Sequence, residues 1–234
     1  MSQKVLTSLS DGVFSIVLNY PEKLNCLGFE MLYALENALQ QAQQEDKIKV
    51  VLIKGAGDRA FCSGANIKEF EKLKDKEITE WIELGNKINN SLECLKKPTV
   101  AFINGYAMGG GLELALACDF RIASSTAIFA FPEVSNGWLP GWGGMARATR
   151  LIGEVHAKKL ILLSERVDAV QAQEMKLIHY IKNENEISGL LSTLSQVKPM
   201  AYAMAKSAIM DPNRTTYGSA IDFDVLAVNI SNHS

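Results

Sequence analysis

No stretch of the chain approaches the roughly 20 consecutive apolar residues that a membrane-spanning helix needs. No leader-type apolar core follows the opening Met1-Ser2-Gln3-Lys4, so the start does not read as a secretory signal. Charge of one sign is not in excess either. Lys and Arg number 24 against 26 Asp and Glu, a net charge of −2. That balance argues against nucleic acid or an anionic membrane surface as the main partner. Cysteine is sparse: Cys26, Cys62, Cys94 and Cys118 lie far apart and form no CxxC pair. Reduced thiols in a cytoplasmic protein are the simplest reading. Histidine is sparser still, with His156, His179 and His233 scattered and without metal-ligand spacing. No metal site and no separate cofactor are expected. Linkers, low-complexity segments and internal sequence repeats are lacking as well.

The 234 residues, 47% of them hydrophobic, suffice for one α/β domain with a sizeable core. Residues 5–9 and 13–19 are β-type runs around Ser10-Asp11-Gly12, a strong hairpin signal. Residues 29–44 carry Leu32, Leu35, Leu39 and Ala42 at helical spacing and predict an amphipathic helix. A buried-type strand follows at 49–54, a charged helical region at 68–95, and a β-branched strand at 99–103. Residues 112–118 read as helix, 119–123 and 128–131 as strands. Helices at 145–152, 155–163 and 169–175, a brief strand at 177–181, and helices at 187–197, 201–210 and 217–228 complete the chain. Strands alternating with helices imply a largely parallel sheet system with helices outside it.

The chemistry concentrates in Asn104-Gly105-Tyr106-Ala107-Met108-Gly109-Gly110-Gly111-Leu112-Glu113. Glycines where a strand gives way to a helix permit a tight turn and close approach of a ligand to the main chain. The first N–H groups of the helix lack internal partners, and the helix dipole favours negative charge there. A second such turn, Ser63-Gly64-Ala65-Asn66-Ile67-Lys68, follows the strand at 49–54. One N–H from each turn, aimed at one carbonyl oxygen, would make an oxyanion hole. Glu113 and Glu133 could then serve as paired proton carriers beside a thioester carbonyl. Plainer readings stand beside these: a glycine turn under a sheet, a helix-start charge for Glu113, a solvated loop residue for Glu133.

In motif order the chain resembles the crotonase superfamily, the enoyl-CoA hydratase/isomerase family. Asn19-Tyr20-Pro21-Glu22-Lys23-Leu24-Asn25 is similar to its early loop at the CoA site. The run from Ala60 to Glu69 resembles its first oxyanion segment and Asn104 to Asp119 its second. Phe131-Pro132-Glu133 and Pro140-Gly141-Trp142-Gly143-Gly144 complete the series. The resemblance implies an α/β fold with a crotonase-like ββα spiral core over residues 1–183, and a C-terminal helical region over 184–234. It implies oxyanion N–H groups on Ala65 and Gly110, and catalysis by Glu113 and Glu133. CoA contacts would come from Glu22, Lys23, Leu24, Asn25, Ala65, Asn66, Ile67, Lys68 and Gly109. The implied reaction is reversible hydration of a 2-enoyl-CoA, with Glu113 activating water and Glu133 exchanging the proton next to the carbonyl. Two nearby carboxylates should raise at least one pKa. An isomerase using Glu133 alone, a decarboxylase, a hydrolase using Ser63 and a catalytically silent assembly partner are the alternatives. No Gly-x-Ser-x-Gly is present to support the hydrolase.

Three departures from the family pattern stand out. Asn66 replaces the usual Asp after the oxyanion Ala, and is expected to cap the following helix as well. Trp138 and Trp142 bracket the second glycine cluster where smaller residues are common; they either reshape the acyl pocket or belong to the core. Finally, the sequence ends on the polar stub Asn229 to Ser234 where the family continues with a further helical segment. The C-terminal helices of the family cover the acyl site and supply trimer contacts. The expectation is a homotrimer or dimer of trimers, with a more open acyl pocket.

Overall fold

The computed structural model describes residues 3–210. Strands β1 (Val5–Ser10) and β2 (Val13–Leu18) form the antiparallel hairpin, paired from Val5–Leu18 to Ser10–Val13. Asp11 and Gly12 make its turn at φ of 50° and 79°, the left-handed backbone that this hairpin type demands. Along β2, Phe14, Ile16 and Leu18 point into the core while their neighbours are half-buried, the period of two expected of a pleated strand. Helix α1 (Phe29–Gln44) buries Met31, Leu32, Leu35, Ala38, Leu39 and Ala42, a single helical stripe facing the sheet.

The chain then repeats one pattern three times: a longer strand, a short strand, a helical stretch. The first pass is β3 (Val50–Gly55), β4 (Ala60–Cys62), α2 (Ile67–Phe70) and α3 (Asp75–Cys94). The second is β5 (Thr99–Ile103), β6 (Tyr106–Met108) and α4 (Gly110–Leu116). The third is β7 (Phe120–Ala123), β8 (Ile128–Ala130), a 3-10 turn at Val134–Asn136, and α5 (Gly144–Leu162). Completing the described chain are β9 (Val167–Asp168), α6 (Ala169–Glu174), β10 (Tyr180–Ile181), α7 (Ser188–Ser195) and α8 (Pro199–Met210).

The longer strands, with the two-residue β10 at one edge, build a six-stranded sheet in the order β1-β2-β3-β5-β7-β10, and the remaining short ones a four-stranded sheet in the order β4-β6-β8-β9. β2, β3, β5, β7 and β10 run parallel, as do β4, β6 and β8. Parallel neighbours require a crossover of a dozen or more residues, and each pass supplies one. Both sheets advance together, so the passes wind into the expected ββα spiral. The core includes Phe61 and Phe129, both 0% exposed; burying a side chain of this size contributes about 1.5–3 kcal/mol. α7 covers the outer sheet face through Ile187 and Leu194, against Val50, Leu52, Val100 and Phe102. α8 is held by Asp119, which accepts from the Thr99 N–H and hydroxyl, the Tyr202 hydroxyl and the Lys206 ammonium.

Most elements fall where the sequence placed them; several do not. β4, β6 and β9 are absent from the sequence expectation. The turn after β5 therefore does not lead straight into a helix: Gly105 turns the chain into β6, and Gly109 turns it again. At Gly105 a side chain would lie 2.3 Å from the Arg59 carbonyl oxygen, so only glycine lets those backbones meet. α4 begins at Gly110, two residues before the predicted start. The region 68–95 is two helices, α2 and α3. The predicted strand at 177–181 pairs only at Tyr180–Ile181. The predicted helix at 217–228 and the polar stub lie outside the described residues.

Candidate active site

Two glycines at positive φ, Gly64 (89°) and Gly109 (50°), each precede a predicted oxyanion donor. A Cβ on Gly64 would lie 2.6 Å from the Met108 carbonyl oxygen and 3.2 Å from the Gly110 nitrogen. The two turns are therefore in direct contact. Ala65 pairs with Leu27 as a parallel bridge. The bridge is closed by Leu27 N–H donating to the Gly64 carbonyl and Asn66 N–H donating to the Leu27 carbonyl, both at 2.8 Å. That alternation turns the Ala65 N–H to the opposite side of the strand. Gly110 is the first residue of α4, where the N–H has no helical partner.

Glu113, in the first turn of α4, is 2% exposed. Its Oε1 accepts the backbone N–H groups of Trp142 and Gly144, both at 2.8 Å. A Cβ on Gly144 would come within 2.7 Å of that oxygen, so glycine is needed for the carboxylate to seat. Burial pushes the Glu113 carboxyl up to about 7, against the two N–H donors and Arg147, which pull it down. Glu133 is half-buried beyond β8, with its Oε1 over Gly109, where a Cβ would lie 2.5 Å from it. Its Oε2 is buried and has no hydrogen-bond partner among the described residues. Glu133 is pushed up to about 7 as well, by burial first and by the nearby Glu113 charge second. The expected effect of neighbouring carboxylates is thus present, but desolvation is the larger cause.

The 141–144 loop is itself braced. The Trp142 carbonyl accepts from Asn89 Nδ2 and Arg147, each at 3.0 Å, and the Gly141 carbonyl from Asn86 at 2.8 Å. Arg147 is 5% exposed and pairs with Glu93 at 2.6 Å and Asn90 at 2.7 Å. Sequence reading missed this support. The Arg147 guanidinium sits five residues past the loop carbonyl it holds, and Asn86 and Asn89 come from α3 over fifty residues earlier. No local pattern announces them.

The predicted CoA segments lie side by side. The Ser63 N–H donates to the Leu24 carbonyl at 2.9 Å, beside the Leu27–Gly64 bond. Glu22, Lys23, Ile67 and Lys68 are exposed, and Leu24, Ala65 and Asn66 half-buried. Asn25 differs: it is 0% exposed. Its side chain accepts from the Tyr20 N–H and donates to the Ala56 and Ala60 carbonyls. It holds the left-handed turn at Leu24 and Asn25, φ 54° and 55°, and is committed to the fold. Asn66 does not cap α2 with its side chain. Its Nδ2 donates to Glu69 Oε2 at 3.0 Å, while its carbonyl accepts from Glu69 and Phe70. Glu69 also takes the Phe29 N–H at 3.0 Å and so ties α2 to α1. The Ser63 hydroxyl donates to the Lys23 carbonyl at 3.5 Å. Cavities of about 660 and 510 Å³ flank α8, lined by Glu93, Arg150, Lys206 and Met210 among others. None of their lining residues belongs to the carboxylate site, where the paired acids and free N–H groups lie.

Comparison with known proteins identifies the family. The chain is 33% identical over 227 residues to a short-chain-enoyl-CoA hydratase of Clostridium acetobutylicum, covering 94% of this chain and 86% of that one. It is 38% identical over 210 residues to the enoyl-CoA isomerase/hydratase fer4 of Mycosarcoma maydis, covering 85% and 77%. The crystal structure of an enoyl-CoA hydratase from Bacillus anthracis superposes with a TM-score of 0.94 at 32% identity, over 99% of this chain and 92% of that one. The family model described as enoyl-CoA hydratase/isomerase matches residues 8–230, and the chain belongs to that family, within the crotonase superfamily.

Proposed function

We propose that this protein is an enoyl-CoA hydratase, adding water reversibly across the double bond of a 2-enoyl-CoA thioester. The observation that carries this reading is the pair of carboxyls, both pushed up to about 7 by burial, beside the turns that bear Ala65 and Gly110. In the hydration direction, ionised Glu113 takes a proton from water as its oxygen bonds to the β-carbon. Electrons move onto the thioester oxygen, held by the Ala65 and Gly110 N–H groups. Protonated Glu133 then delivers its proton to the α-carbon. The resting pair needs one proton between two groups of similar pKa, which coupled burial supplies near neutrality. The loop from Glu22 to Asn25 and the segment from Ala65 to Lys68 frame the entry for CoA, with Gly109 beneath Glu133. Family resemblance also supports assembly as a homotrimer or dimer of trimers, and the four scattered cysteines without a CxxC pair suit a cytoplasmic location; light scattering behind gel filtration tests the assembly.

The test is ultraviolet absorbance at the conjugated thioester band with crotonyl-CoA. Loss of absorbance that depends on both glutamates supports hydration. A gain of absorbance from a 3-enoyl-CoA, without loss from crotonyl-CoA, would replace hydration by isomerisation through Glu133. No change with any thioester would favour the silent assembly partner.

A further inference from the structure

On the reading proposed above, the oxyanion segments and the two carboxylates would set where a bound thioester runs. Its oxygen lies at the Ala65 and Gly110 N–H groups, and its double bond runs from the Glu133 side to the Glu113 side. Carbons beyond the β-position continue past Glu113, toward the 141–144 loop that holds it. That loop carries one large side chain, Trp142. Its amide donates to Glu113 Oε1, and its ring lies 2.5 Å from where a Cβ on Gly110 would stand. One residue therefore touches both the carboxylate and the oxyanion glycine.

The ring cannot retreat. A Cβ on Gly85, in α3, would come within 2.2 Å of the indole's Cε2, whereas Gly110 meets it at Cζ3. Trp81, 2% exposed, packs against it at 5.6 Å, centroid to centroid. Phe70 meets Trp81 at 6.1 Å and Trp138 at 5.5 Å, continuing an aromatic run toward the surface. Trp142 itself is 4% exposed: the indole already fills the space that a smaller side chain would leave open beside the β-carbon. Close-packed rings backed by a glycine contact do not yield to an added tail without strain.

Resting on the proposed thioester site, we infer that Trp142 is the wall that ends the acyl pocket, and that it restricts the protein to short, straight acyl chains. Gly85 is its partner, small because the indole needs the room. Its amide and its ring thus have separate jobs: the amide seats Glu113, and the ring sets chain length. A side-chain substitution alters the second and keeps the first.

The experiment compares binding of two unreactive thioesters, butyryl-CoA and decanoyl-CoA, by calorimetry, with hydration of crotonyl-CoA and 2-decenoyl-CoA in parallel. Wild-type protein should bind decanoyl-CoA at least about tenfold more weakly than butyryl-CoA, and hydrate the longer substrate with correspondingly lower kcat/KM. Trp142→Ala should move the long-to-short ratio by about tenfold or more toward the long chain. Trp142→Phe should move it the same way by less, and decides the matter if the alanine variant does not fold. Equal binding of both thioesters by wild type, or an unchanged ratio in the folded variants, overturns the inference. A binding ratio that shifts as stated, in a protein that hydrates neither substrate, leaves the wall standing and removes the proposed reaction instead.

Discussion

Replacing Glu113 by Gln should make the protein more stable at alkaline pH while it destroys activity. In the folded state the Glu113 carboxyl titrates at about 7, against 4.5 for the free group. At about 1.4 kcal/mol per pKa unit, the buried charge costs about 3 kcal/mol once fully formed. Between those two values the folded protein binds more protons than the unfolded chain, so stability falls as pH rises through the window. Glutamine keeps an oxygen for the Trp142 and Gly144 N–H groups and carries no charge. Those hydrogen bonds weaken when their acceptor is neutral, which leaves a net gain of about 1–3 kcal/mol at pH 8. For a chain of this size that is about 2–4 °C in Tm per kcal/mol. Urea or thermal melts at pH 5 and pH 8, at one fixed protein concentration, read the difference. The gap between Glu113→Gln and wild type should widen with pH. A gap that is the same at both pH values, or that narrows toward pH 8, would refute the claim that burial governs this carboxyl.

Glu133→Gln should lower hydration of crotonyl-CoA by about 10²-fold or more, seen in steady-state assays with the fold intact by circular dichroism. Gly110→Pro removes an oxyanion N–H and should reduce turnover by about 10²–10³-fold or prevent folding; a folded, fully active variant would place the oxyanion elsewhere. Arg147→Met leaves the half-buried Glu93 carboxylate with Arg150 alone and the Trp142 carbonyl with Asn89 alone; it should cost about 3 kcal/mol in urea unfolding. Because both carboxyls sit near 7, kcat/KM should fall on either side of a maximum near neutral pH.

Where the signal is local, the sequence sufficed. Asp11-Gly12 forecast a hairpin because few other pairs reach its positive φ values cheaply. Leu32, Leu35 and Leu39 forecast α1 with both ends correct, because one apolar stripe spans the helix. The β-branched run 99–103 forecast β5 in full. Gly153, at φ 73°, divides α5 where the sequence placed a boundary between two helices. The short strands β4 and β6 escaped because three residues among glycines cannot display a period. They exist through pairing with one another and with β8. At the site, motif order singled out Glu113 and Glu133. What seats Glu113 was not: the donors are main-chain N–H groups of Trp142 and Gly144, about thirty residues away. Gly85 gave no hint of its contact with Trp142, because that contact joins α3 to a loop beyond β8. Asn25 was expected to contact CoA from the early loop. Its burial depends on two carbonyls more than thirty residues on.

The most direct test of the central claim is the fate of crotonyl-CoA in ¹⁸O-labelled water, followed by mass spectrometry of the thioester. The proposed chemistry predicts a product heavier by one labelled water, with the label on the carbon β to the carbonyl. Its formation should be slowed by about 10²-fold or more by Glu113→Gln and by Glu133→Gln. A thioester recovered at unchanged mass, or a labelled product still formed at the wild-type rate by either variant, would contradict hydration by two carboxylates.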